Sequence, residues 1–162
     1  MDTVQKRLET QLFRAHQKTL ATFETVHGFQ WEMVLYDEPA WSVSDVLRHL
    51  VASEQGIQEH IRQLCEHGET AEKLDLDETN SIDLLLLGDW TPSELMIQLK
   101  RNHAETLALL NSASDETWQK ENCGALADLG ELNLEGWFEM IAVHQLMHRQ
   151  DVQTAVSAFS FA

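Results

Sequence analysis

The segment His144-Gln145-Leu146-Met147-His148 places two imidazoles four residues apart. In a helix that spacing puts both on one face, with Cβ atoms about 6 Å apart, so both can reach one metal ion. They continue an apolar stripe through Trp137 and Ile141, which points them inward. A buried imidazole pair is costly unless something satisfies it, and a metal ion would do so. The competing reading is a hydrogen-bonded pair of core histidines, or a surface pair. Gln145 removes the zincin reading, which needs a glutamate directly after the first histidine as general base. A carboxylate-bridged di-iron bundle needs two Glu-x-x-His motifs. Here that spacing occurs only at Glu24 and His27, near the end of the first expected helix.

A third ligand must come from another helix. His49 lies beside the inward stripe of the second expected helix, and His103 lies on the inward stripe of the third. Both compete for the role, and each could equally be a satisfied core histidine. His16, His27, His60 and His67 have no such support and read as solvated or boundary residues. Asp151 shares the face of His148, three residues on, and is a candidate to orient a ligand from behind. Glu54 is five residues beyond His49 and not squarely on its face. Trp137 and Phe138 read as core packing rather than substrate stacking. Trp41 and Trp90 precede helix starts and read as hydrophobic staples. Cys65 and Cys123 have no close basic neighbour that would activate a thiol.

The elements that carry these residues are helices. With two prolines and seven glycines in 162 residues, long stretches lack breakers. The first helix is expected over about Thr3–Val26, on a stripe of Val4, Leu8, Leu12, Ala15, Thr19, Phe23 and Val26, ended by Gly28. Residues 29–41 read as a packed connecting loop. Ser42 caps a second helix to about Glu66, helped by Asp45 three residues on. Residues 69–90 read as an acidic loop with a short helix near Leu84–Leu87. Thr91-Pro92-Ser93-Glu94 is a capping box with proline at the first helical position, opening a third helix to about Asn111. Residues 112–132 hold glycine-marked turns. A last helix spans about Asn133–Ser157. Four helices that must each bury a stripe predict an all-α four-helix bundle, in one domain over residues 1–162.

Eleven basic and 27 acidic residues give a net charge of 11 − 27 = −16. Such a surface repels phosphate backbones and anionic lipid, which argues against nucleic-acid and membrane partners. No apolar run approaches the roughly 20 residues of a membrane span. Two cysteines are too few for a disulfide scaffold, and the N-terminus lacks a basic start followed by an apolar stretch, so a reduced, cytoplasmic protein is expected.

The segment Trp41-Ser42-Val43-Ser44-Asp45-Val46-Leu47-Arg48-His49-Leu50, with Glu54 after it, resembles the second-helix signature of the DinB/YfiT-like superfamily. Val143-His144-Gln145-Leu146-Met147-His148-Arg149 is similar to its final-helix signature, and Thr91-Pro92-Ser93-Glu94-Leu95 to its third-helix start. Order and spacing agree over nearly the whole chain. The resemblance implies the family's four-helix bundle and a metal triad with one histidine on the second helix and two on the last. Carried over, these are His49, His144 and His148, which leaves His103 without a counterpart. Many members have glutamate where Gln145 stands, glutamine at Asp151 and histidine at Met147. None of these is a ligand, so the departures bear on the particular reaction rather than on metal binding.

Three imidazoles around one divalent ion leave a position open for water or substrate, whereas closed structural sites use four protein ligands. Imidazoles suit Zn, Ni and Fe, and also Cu. The resemblance implies a metal-dependent transferase or hydrolase acting on a small molecule, with a low-molecular-weight thiol as cosubstrate in several members, and a homodimer. The alternative from another class is a non-catalytic bundle, serving binding or dimerisation, with structural histidines. Convergence of the three rings separates the two.

Overall fold

The Ser42 hydroxyl accepts from the Asp45 amide at 3.2 Å, and the Asp45 carboxylate accepts from the Ser42 amide at 3.0 Å. Thr91 and Glu94 close the same reciprocal pair, at 3.2 and 2.8 Å, ahead of Pro92. Each box satisfies amides that a helix start would otherwise leave open. In the computed structural model, which describes residues 2–68, 84, 86–126 and 130–159, these caps open two of the four long helices. Helix α1 is Asp2–Glu24, α2 Val43–His67, α3 Pro92–Ser112 and, after the short α4 Asp115–Gln119, α5 Leu134–Phe159. Gly68 closes α2 in the left-handed region, φ +75°, with its amide on the Leu64 carbonyl. The expected four-helix bundle is the observed fold. Helix α1 packs chiefly on α5 and α2 chiefly on α3, while α2 also meets α5 and α1 meets α3. Among the described residues no helix is long and apolar enough to cross a membrane.

The connection at 29–41 differs from the loop expected. After α1 ends at Glu24, two residues short of Val26, a 3-10 turn runs over Gly28–Glu32. Strands β1 Val34–Asp37 and β2 Ala40–Ser42 then pair antiparallel, with Tyr36 opposite Trp41. Val34, Tyr36 and Trp41 are β-favouring types, and Leu35, Tyr36 and Trp41 anchor the hairpin on the bundle. Helical periodicity carries no signal for so short a ribbon. In the 112–132 segment the expected glycine turns are present at Gly124 and Gly130, both at positive φ, beside the short α4. The acidic stretch 69–83 lies outside the described residues.

Two apolar clusters fill the bundle. One gathers Leu8, Leu12, Ile61, Leu64, Trp137 and Phe138, and the other Phe23, Val46, Leu47, Leu50, Leu99 and Val152. Between them every long helix contributes buried polar side chains: His16 and Thr19, Ser53 and Glu54, Asn102 and Thr106, Gln145 and His148. The layer is tied by hydrogen bonds. Gln58 donates to the Asn102 carbonyl at 2.8 Å and to Thr106 at 2.9 Å, and Asn102 donates to the Val51 carbonyl at 3.0 Å.

His16 and His60 are buried, not the solvated or boundary residues their sequence context suggests. His60 Nε2 donates to the Cys123 carbonyl at 2.9 Å, and its ring rests 4.1 Å from that of Trp137. His16 stacks on His103 at 4.1 Å with planes 6° apart. Burial, with His103 and Lys100 nearby, pushes the His16 pKa down to about 4. The unfolded chain thus takes a proton at His16 between pH 6.5 and 4 that the folded chain refuses, so stability falls as pH falls through that window. We expect His16 to cost about 2 kcal/mol by pH 4.5. Urea midpoints measured at pH 7 and 4.5 should move less in His16→Phe, which keeps the stack without the proton.

Candidate metal centre

His49 enters from α2, about two turns past its capped start, while His144 and His148 sit one turn apart on α5. His49 Nε2 lies 2.8 Å from His144 Nε2, and His148 Nε2 lies 3.1 Å from the same atom. Ligand atoms of the three fall within 4.8 Å of one another, the one such group of three or more among the described residues. His103 does not join it, being stacked on His16. Of the two third-ligand candidates, the structure brings His49 to the α5 pair.

The atoms behind the rings fix how they are protonated. The Tyr36 hydroxyl donates to Asp151 Oδ2 at 2.5 Å and lies 3.0 Å from His148 Nδ1. With its one proton on Asp151, the phenol can only accept from His148. His148 then carries its proton on Nδ1 and turns a bare Nε2 lone pair into the cluster, an assignment that follows from the hydrogen bonds. Ser53 Oγ stands 3.2 Å from His49 Nδ1 and can hold that ring in the same tautomer. Outer partners of this kind orient metal-binding imidazoles.

Burial first, then the neighbouring His49 and His148, push the His144 pKa down to about 3. Burial also lowers His148, against the raising pull of Asp151. Neutral imidazoles are the form a metal requires. Burial, then the bond to Asp151 and its charge, push the Tyr36 hydroxyl up, so it stays a donor. The donor set fits a divalent ion. Tetrahedral Zn–N bonds of about 2.0–2.1 Å place nitrogens about 3.3 Å apart, a few tenths of an ångström wider than the two close pairs here.

Asp151, read from its face on α5, does stand behind His148, but through Tyr36. Tyr36 itself was missed, because a contact across 112 residues from a hairpin leaves no periodic trace. Trp41 is more than a staple, since its ring lies 4.7 Å from that of His49. Glu54 and Gln145 are buried and bonded to each other at 2.8 Å, although Glu54 is off the His49 face in sequence. Cys65 and Cys123 are free, and burial pushes both thiols up. Tyr36→Phe should weaken metal binding about tenfold, the lower end for loss of such a partner, with little change in fold. Chelator competition measures this directly.

Three convergent imidazoles at the seam of α2 and α5, two of them backed by a hydroxyl, make a helical bundle whose donor set could hold a metal ion. The sequence matches the DinB superfamily over residues 10–152, and the chain belongs to that family. No curated protein matches it. Its fold is similar to that of YfiT from Bacillus subtilis, described as a probable metal-dependent hydrolase with an unusual four-helix bundle topology. That likeness has a TM-score of 0.76 at 18% identity, over 98% of this chain and 89% of that one. A Streptococcus pneumoniae protein superposes with a TM-score of 0.71 at 12% identity, over 97% of this chain and 90% of its own.

Proposed function

We propose that this chain is a metal-dependent enzyme of the DinB superfamily that holds one divalent ion, Zn, Ni or Fe, through His49, His144 and His148. The observation that carries the reading is the hydrogen bonding behind His148, from which its tautomer is assigned. Its Nδ1–H is spent on Tyr36, so its Nε2 lone pair faces the other two rings. The description of YfiT as metal-dependent supports the same reading.

A bound ion would act as a Lewis acid that lowers the pKa of water or of a thiol at its open position. The chain's own part is positional. Ser53 and Tyr36 aim the rings, and Asp151 holds the phenol proton. Trp41 and Tyr36 form an aromatic cover from the hairpin. The reaction is transfer or hydrolysis on a small molecule, with a low-molecular-weight thiol as the favoured nucleophile. The net charge of −16 disfavours a strongly anionic substrate at long range. We read residues 1–162 as one cytoplasmic domain that forms a homodimer.

Elemental analysis of untagged protein tests the metal directly. We expect close to one ion per chain in the parent and in His103→Ala, and its loss in His49→Ala and His148→Ala. Protein that is metal-free and ignores added Zn²⁺ and Ni²⁺ would sink the reading. Reconstituted protein should then be screened with thiols and electrophiles.

A further inference from the structure

Glu54 is 3% exposed. Its Oε2 accepts from the Thr106 hydroxyl at 2.6 Å and its Oε1 from the Gln145 amide at 2.8 Å. Both donors are neutral, and among the described residues no salt bridge includes Glu54. The cation one turn beyond Gln145, Arg149, gives its Nε to Thr22 instead. A buried carboxylate without a cation is expensive, and its cost calls for a compensating reason. Burial outweighs the two hydrogen bonds and lifts its pKa to about 7.

Its position supplies the reason. Glu54 lies on the helix that carries His49, five residues on, or roughly 7.5 Å along the axis. Its partner Gln145 is the residue next to His144. The titratable or charged groups on the surrounding helices include His49 and His60 on α2, His144, His148, Arg149 and Asp151 on α5, His103, Lys100 and Glu105 on α3, and His16 on α1. Three neutral imidazoles bring no charge of their own to a divalent ion, and beyond Asp151, set back behind Tyr36, a low-dielectric interior makes a further nearby anion effective.

Resting on the three-histidine reading above, we propose that Glu54 is the counter-charge of the metal centre, held protonated in the empty protein and ionised when the ion enters. The O–H bond of the carboxyl breaks, its electron pair stays on oxygen and the proton leaves to solvent. Glu54 is a positioning residue in this account, since it reaches the site only through its field and through Gln145, the chain neighbour of His144.

The test is Zn²⁺ titration of the full chain by calorimetry, in buffers of different protonation enthalpy, for the parent and Glu54→Gln. At pH 6.5 the parent should release approaching one proton more per ion than E54Q, because the histidines are common to both. At pH 8, E54Q should bind Zn²⁺ at least tenfold more weakly. Thermal melting of metal-free E54Q at pH 8 should show a fold as stable as the parent or more so, since there a buried carboxylate is replaced by a neutral amide. Should E54Q not fold, Thr106→Val serves: loss of that donor should move the extra release to higher pH, and an unmoved midpoint would overturn the proposal. Equal affinity and equal proton count in parent and E54Q overturn this inference alone. A parent that takes up no Zn²⁺ overturns the metal reading and this inference with it.

Discussion

His144→Ala protein should emerge essentially free of divalent metal, with occupancy falling from near one ion per chain to below about a tenth. His144 is the hinge of the cluster, because both His49 and His148 approach its Nε2 rather than each other. Its removal leaves two imidazoles on different helices, too few to compete with water for an ion. The same variant should separate metal stabilisation from fold stability. An ion present at a hundredfold above its dissociation constant adds about 2.7 kcal/mol to the folded state. For a chain of this length that is a rise in melting temperature of about 5–10 °C. The parent should show it on addition of Zn²⁺ and His144→Ala should not. Without metal, His144→Ala should melt close to the parent or above it, because a partly buried imidazole has been replaced by an apolar side chain. A variant that keeps the Zn²⁺-dependent rise would refute the assignment.

Trp137→Ala should be the most damaging single change to the fold, at about 3–5 kcal/mol. Trp137 is 0% exposed and centres the apolar cluster at the far side of the polar layer from the hairpin. Its Nε1 donates to the Cys123 carbonyl at 2.9 Å, and its ring lies against His60. The carbonyl keeps His60 as a donor after truncation, so the cost is cavity and lost burial rather than an orphaned polar group. Urea unfolding should show a lower midpoint with little change in slope. Where the variant is still folded, it should bind one metal ion as the parent does, since the ligands belong to the adjoining level of the bundle. Trp137→Phe should recover more than half of the loss. A change below about 1 kcal/mol in Trp137→Ala would mean that this cluster is not the seat of stability.

What the sequence made legible was what repeats along a helix. Leu8, Leu12, Ala15, Thr19 and Phe23 announce the buried side of α1 through their three- and four-residue steps, and Ser42 and Thr91 announce helix starts through side-chain chemistry. The i,i+4 histidines were visible for the same reason. The third ligand was not fixed by spacing. His49 and His103 fit their own helices equally well, and which of them meets α5 depends on how the helices pack in space. The hairpin was invisible because strands of four and three residues show too few alternations to register. With it went Tyr36, whose place behind His148 is set by tertiary folding alone. Glu54 was legible as a residue but not as a buried one, because a lone glutamate near an apolar stripe usually faces water.

The buried polar layer at mid-length has a consequence for how the chain finds its alignment. A stripe of leucines is nearly indifferent to a slide of one helical turn, about 5.4 Å, because another leucine arrives where the last one stood. Here such a slide would press Asn102, Thr106, Glu54 or Gln145 against leucine and strand their hydrogen bonds. The polar residues act as teeth on a key, and only one depth of insertion for each helix engages them all. The energy they forgo in burial is returned as a unique alignment, which is what brings histidines from two separate helices to one point.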